Sequence, residues 1–275
     1  MDDMVYNIPA ALTGAYQGRK LIVRAPTLME LQSALANTNP EALVYVQLLS
    51  LPAASEDLRQ WREPVPLDLI LGDPAADFSH LYRCTPLLDY HPVRVTVPVV
   101  PGFGKAVKLA VSLQFAVKLE IAQPTPMLVE ELAQALDLYL HQTTVTQPVE
   151  YFHSSLLAFL HQQPVSLWTI QEEDPTAVCY VTDQGQETLP GRLARIPVPD
   201  DSRTFLETLQ RELLAAQSEC STCAFFAYCG GYFKWPFRDY HCDGVKTLFH
   251  TLEQAAAELC RDLATFSPTP GATPS

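Results

Sequence analysis

An α/β fold, an open or partial β/α barrel followed by a small cysteine-rich unit, is what this sequence predicts. Between Leu21 and about Gln186, short apolar runs rich in β-branched residues alternate with amphipathic stretches. Such alternation calls for strand, helix, strand units joined by right-handed crossovers. The segment, roughly 165 residues, holds fewer units than a complete eight-fold barrel needs. Four of the seven cysteines then fall within 23 residues, after the alternation has stopped. An ordinary doubly wound sheet is the competing arrangement.

The elements follow in chain order. Strands are predicted at Leu21 to Ala25, Leu43 to Leu49, Leu67 to Leu71, Val93 to Val100, Val117 to Ala122, Ser166 to Ile170 and Val178 to Thr182. They read as continuous hydrophobic runs, the pattern of parallel strands buried on both faces. Thr27 with Glu30 has capping-box spacing and opens a helix through Leu28, Leu31 and Leu35. Thr125 followed by Pro126 is an N-cap with proline at the first helical position, leading into Leu128, Leu132, Leu136 and Leu140. A helix from about Ser202 to Ser218 delivers the chain to the cysteines, and a last one from about Val245 to Phe266 carries Leu248, Leu252, Ala256, Leu259 and Leu263. The division expected is a partial barrel over residues 1–176, a cysteine-rich domain over 177–266 and a disordered tail over 267–275.

Composition narrows the function classes. With 48% hydrophobic and 18% charged residues the chain reads as globular. The formal net charge of -13 argues against nucleic acid, whose phosphates need clustered Lys and Arg, and fits a cationic partner better. No apolar run is long enough to span a bilayer, and Met1-Asp2-Asp3-Met4 lacks the basic start of a secretory signal, so no membrane and a cytoplasmic location are expected. Seven cysteines, an odd number, in that compartment suit metal binding better than a disulfide framework.

The informative segment runs Cys220-Ser-Thr-Cys223-Ala-Phe-Phe-Ala-Tyr-Cys229-Gly230-Gly231, with Cys242 after twelve intervening residues. A two-residue gap lets one tight turn present two sulfurs to a single centre, and the two later thiolates complete its ligation. Gly230 and Gly231 suit a backbone turning sharply around a bulky object. Phe225, Phe226, Tyr228, Tyr232, Phe233, Trp235 and Phe237 are the expected apolar shell. This clustering favours ligation over four separately buried thiols, or over a redox Cys-x-x-Cys, which has no use for two more cysteines. Four thiolates also satisfy zinc, although its usual second Cys-x-x-Cys knuckle is missing.

The run Cys220, Cys223, Cys229 and the downstream Cys242 resembles the SPASM domain of radical SAM peptide-maturing enzymes. The resemblance covers about residues 177 to 245 and implies that these four cysteines hold one auxiliary 4Fe-4S cluster, with zinc as the alternative. The family's fourth cysteine of the run falls at Phe233, and the matching Gly-x4-Cys element, Gly185-Gln-Glu-Thr-Leu-Pro190, ends in proline. One auxiliary cluster rather than two is therefore expected. The family's catalytic Cys-x3-Cys-x2-Cys has no counterpart, because Cys84 is the only cysteine before Cys179. The expectation is a degenerate, pseudo-radical-SAM barrel with a SPASM-like domain, an accessory protein rather than a radical enzyme. Its partners would be a radical SAM maturase and/or its precursor peptide, met in docking, substrate presentation or electron relay. An independent barrel enzyme, or a zinc-stabilised interaction module, is the alternative.

Other residues read plainly. Gly102-Phe-Gly104-Lys105 is a turn before a helix rather than a phosphate loop. Cys84, Cys179 and Cys260 are expected to be core residues, and His241, next to Cys242, is a possible donor to sulfur. No catalytic triad or carboxylate pair is named by the sequence.

Overall fold

Among the described residues of the computed structural model (4–36, 38–51, 65–163, 165–195 and 204–266), eight strands make one sheet. They are β1 (Val5–Pro9), β2 (Lys20–Ala25), β3 (Leu43–Leu48), β4 (Leu67–Ile70), β5 (Val93–Pro98), β6 (Ala116–Glu120), β7 (Val178–Val181) and β8 (Glu187–Thr188). The order across the sheet is β6-β5-β4-β3-β2-β1-β7-β8, and every pair is parallel except β7 with β8. Strands β1 to β6 stand in strict chain order, so each crossover steps the same way, whereas a doubly wound sheet reverses within such a run. The β7-β8 hairpin adds to the same sheet through β1, with Tyr6 beside Cys179.

The strands are largely buried on both faces, as expected, but the expectation of continuous hydrophobic runs is corrected. One parity of residues is apolar and buried: Leu21 and Val23, Val46 and Leu48, Leu67 and Leu69, Val93 and Val95, Val117 and Leu119. The other parity is largely polar: Arg24, Gln47, Asp68, Arg94 with Thr96, and Lys118 with Glu120. Runs such as Val93-Arg-Val-Thr-Val97 therefore alternate, the signature of a strand with one apolar face. Side chains from seven strands, among them Asn7, Arg24, Gln47, Thr96, Lys118 and Tyr180, line one cavity of about 220 Å3. Seven flat strands at about 4.8 Å spacing would lie too far apart to share so small a space. The sheet is thus strongly curved, with its polar face inward.

Among the described residues, six longer helices complete the frame: α1 (Leu28–Leu35), α2 (Phe103–Ser112), α3 (Pro126–His141), α4 (Glu150–His161), α5 (Phe205–Ala215) and α6 (Asp243–Phe266). Thr27 Oγ1 caps α1 by accepting from Glu30 N at 3.3 Å, and Thr125 caps α3 by accepting from Leu128 N. Helix α2 buries Phe103, Ala106, Val107, Ala110 and Val111. A buried valine or phenylalanine contributes about 1.5–3 kcal/mol, so this face holds the helix down. Gly104 N–H at its start donates to Glu131 Oε1 at 2.9 Å, so a carboxylate of the chain itself already occupies that terminus.

Ser166 to Ile170, expected as a strand, instead forms a helical turn, Leu167–Ile170, because Ser166 Oγ accepts from Trp168 N and so caps a turn. The start expected for α5 at Ser202 and the tail over 267–275 lie outside the described residues. Among the described residues, no helix is long and apolar enough to cross a membrane.

Candidate metal centre

Helix α5 ends at Ala215, and the chain turns immediately into the cysteine segment. Ser218 Oγ accepts from Cys220 N at 3.4 Å and starts the tight turn Glu219–Thr222, which carries Cys220 and leads to Cys223. A second turn, Phe226–Cys229, ends in Gly230 and Gly231 with φ of 58° and 77°. A Cβ on Gly231 would lie 2.5 Å from Leu213 Cδ1, so both backbone and space require glycine there. Two successive left-handed residues curl the chain back. Burial raises the Cys229 thiol, and the backbone N–H groups of Phe233, Tyr232 and Gly231 work against that rise. Cys242 sits one residue ahead of α6, its N–H donating to Glu219 Oε1 at 3.3 Å.

All four cysteines line one small cavity, together with Phe225, Phe226, Phe233 and Phe249. The thiols sense one another in sequence, since like charge on Cys223 raises Cys220, Cys220 raises Cys229 and Cys229 raises Cys242. Burial is the largest cause in each case, pushing Cys229 up to about 11 and Cys242 up to about 12. Lys234, only 4% exposed, works against this by favouring the thiolates of Cys220 and Cys242. Its ammonium donates to Glu219 Oε1 at 2.5 Å and to the Tyr240 carbonyl, while Lys246 donates to the other oxygen of Glu219. Burial alone would raise Glu219, but these two lysines hold it down at about 2. The pocket is therefore built of four thiols, apolar rings and a Lys234–Glu219–Lys246 bridge.

Part of the expected shell differs. Phe237 is 67% exposed and Trp235 packs edge-on against Phe205, 5.4 Å between centroids, while Phe249, from the last helix, joins the lining. Phe233 stands where the resembled family has a further cysteine, and its ring faces the same cavity. His241 is exposed, and the groove it lines is not the cysteine cavity. Of the three remaining cysteines, Cys84 is buried as expected. Cys179 is half-buried and Cys260 is exposed on α6, where every residue from Ala257 to Thr265 is exposed.

Trp168, fully buried, anchors the cysteine segment to the sheet. Its indole N–H donates to Gly230 O at 3.1 Å and its ring meets Tyr232 edge-on at 4.9 Å. Tyr232 OH donates to Ile121 O at 2.6 Å, Tyr240 OH to Pro124 O at 2.8 Å, and Gln123 Nε2 to Phe233 O at 2.8 Å. The segment is thus fastened to the residues just beyond the C-terminal end of β6.

Among the described residues, no group of three or more His, Cys, Asp or Glu is arranged to hold a single metal ion. A tetrahedral zinc with Zn–S of about 2.3 Å needs sulfurs only about 3.8 Å apart. The four cysteines share a cavity of about 20 Å3.

The sheet's inner face is the second chemically dense region. Asp68, fully buried, accepts from Gln47 Nε2 at 3.2 Å, Arg94 Nη2 at 3.0 Å and Thr96 Oγ1 at 2.7 Å. Glu172 accepts from Tyr45 OH at 2.7 Å, from Arg94 and from Lys118. Burial would raise Glu172, but Lys118 and Arg94 hold it down at about 2. Arg24 reaches Asn7 Oδ1 at 3.0 Å and Asp183 at 3.4 Å, and Arg192 Nε pairs with Glu173 at 3.0 Å. Single polar residues at every second position of apolar strands are the sequence signal for this face.

Comparison with family models, with curated proteins and with solved structures finds no significant match to this chain.

Proposed function

We propose that Cys220, Cys223, Cys229 and Cys242 hold one 4Fe-4S cluster in a SPASM-like module, packed on a partial β/α barrel that lacks a radical SAM site of its own. The chain then serves a radical SAM peptide maturase as an accessory protein, by docking, by presenting the precursor peptide or by relaying electrons. The observation that carries this reading is that four thiols from a 23-residue stretch line one small cavity. The curved, sequentially ordered sheet supports the barrel. A bound cluster would supply one-electron chemistry or rigidity, the N–H groups around Cys229 and the ammonium of Lys234 favouring its thiolate form.

Anaerobic purification followed by iron, sulfide and zinc analysis and a visible spectrum tests the centre. Iron and sulfide in equal amounts, lost in Cys229→Ser, is the expected result. Stoichiometric zinc without sulfide would replace it with the interaction-module reading. Absence of any complex with a radical SAM maturase encoded beside it, and of any effect on that enzyme's turnover, would remove the accessory role. The polar cavity of the sheet favours a second reading, an independent small-molecule site at the strand ends.

A further inference from the structure

The C-terminal ends of β5, β6 and β7 open into a cleft of about 900 Å3, the size of a site for a short peptide segment. One wall is apolar: Val99, Val100, Ile121 and Ala122 from the sheet, with Trp235 and Pro236 from the cysteine segment opposite. Val100 is 41% exposed, an unusual position for a valine that follows a buried strand.

Charge is distributed unevenly between the cleft and the cavity beneath it. Lys118 is paired with Glu172, Arg192 with Glu173, and Arg24 with Asp183. Glu120, the last residue of β6, lines both spaces, and its carboxylate makes no hydrogen bond or ion pair with the described residues. Desolvation raises its carboxyl, although Glu120 as a whole is exposed at the end of the strand. Lys118 on its own strand opposes that shift, Glu173 and Asp68 add to it, and Arg192 opposes it. One carboxylate with no partner, beside an apolar wall and on a protein of net charge -13, is complementary to a cation carried on an apolar stem.

We propose that this cleft binds a basic segment of a peptide, placing a lysine ammonium or arginine guanidinium on Glu120 and a neighbouring apolar side chain between Val100 and Trp235. This names a ligand class for the peptide-presenting role above. It stands on the sheet and the cleft, not on the metal.

Calorimetric titration of the full chain at about 0.15 M salt, where long-range attraction is screened, provides the test. The probes are a blocked leucine–lysine–leucine tripeptide and the same tripeptide with norleucine in place of lysine. The lysine peptide is expected to bind about ten-fold more tightly, the scale of one charge-assisted hydrogen bond. In Glu120→Gln that preference should disappear while the norleucine peptide binds as before. Equal binding of the two peptides to the unaltered chain, no binding of either, or a lysine preference that survives Glu120→Gln each overturns the inference. Iron and sulfide are measured on the same preparation, so failure of the cluster reading shows separately.

Discussion

The inner face of the sheet and the cysteine pocket are both crowded with polar groups, yet they are finished to different degrees. On the sheet, Asp68 and Glu172 are each surrounded by donors from several strands, and opposite charges cancel within the protein. In the pocket the charged groups are confined to the Lys234–Glu219–Lys246 bridge at one side, and the four thiols face each other across a space lined by phenylalanines. A network of paired buried charges is costly to break. Among the thiols, Lys234 is the charge that favours the thiolates of Cys220 and Cys242. The contrast is why we propose a metal centre at the cysteines and a ligand at Glu120, the one acid lining the cleft among the described residues.

The strongest way to break this comparison is to cut the link between the regions. Trp168→Ala removes a fully buried indole and the donor to Gly230 O. It should cost about 3–5 kcal/mol in urea unfolding and lower metal content as the cysteine segment loosens. Unchanged metal content would mean that the pocket is built independently of the sheet.

Next in size is Glu172→Gln, which sharpens the claim that the sheet network is structural. The Glu172 carboxyl is depressed to about 2, so its stabilisation is complete above the ordinary carboxylate range and is lost as pH falls toward 2. The variant should be less stable than the unaltered chain by about 3 kcal/mol at pH 7, and the gap should shrink below about pH 4.5. Metal content should stay the same. A gap that is constant with pH, measured by urea midpoints, would show that Glu172 is not held ionised by Lys118 and Arg94.

The smallest effect is expected from Gly231→Ala. Strain at φ 77° and the close approach to Leu213 should cost about 1–3 kcal/mol. By shifting the N–H groups around Cys229 it should also alter the visible spectrum or the reduction potential of the centre, while the acid transition of the sheet is unaffected. A spectrum and potential identical to the unaltered chain would separate the glycine turn from the metal site.

Much of the frame was legible because its signals are local. Thr27 with Glu30, Thr125 with Pro126 and the β-branched runs each act within a few residues, and the structure places helices and strands there. Strand β1 escaped because Val5–Pro9 is short and stands alone before a turn, and Ser166 to Ile170 misled because capping by Ser166 outweighed β-branched composition. The gathering of Cys220, Cys223 and Cys229 was legible from spacing, with Cys242 brought back over twelve residues. Lys234, isolated within an aromatic run, and Glu219, adjoining Cys220, were visible in the sequence but carried no sign that they meet.

By itself the sequence determined most of the element types and the sheet-forming class of the chain, since these depend on neighbours a few residues away. Only the tertiary structure decided that the polar residues of seven strands share one cavity, that Lys234, Glu219 and Lys246 form a bridge, and that Glu120 is left alone. Those arrangements join residues as far apart as Tyr45 and Glu172, 127 positions in the chain. Contacts of that range are set by how the sheet curves and how Trp168 docks the cysteine segment on it, and neither is encoded in any local pattern.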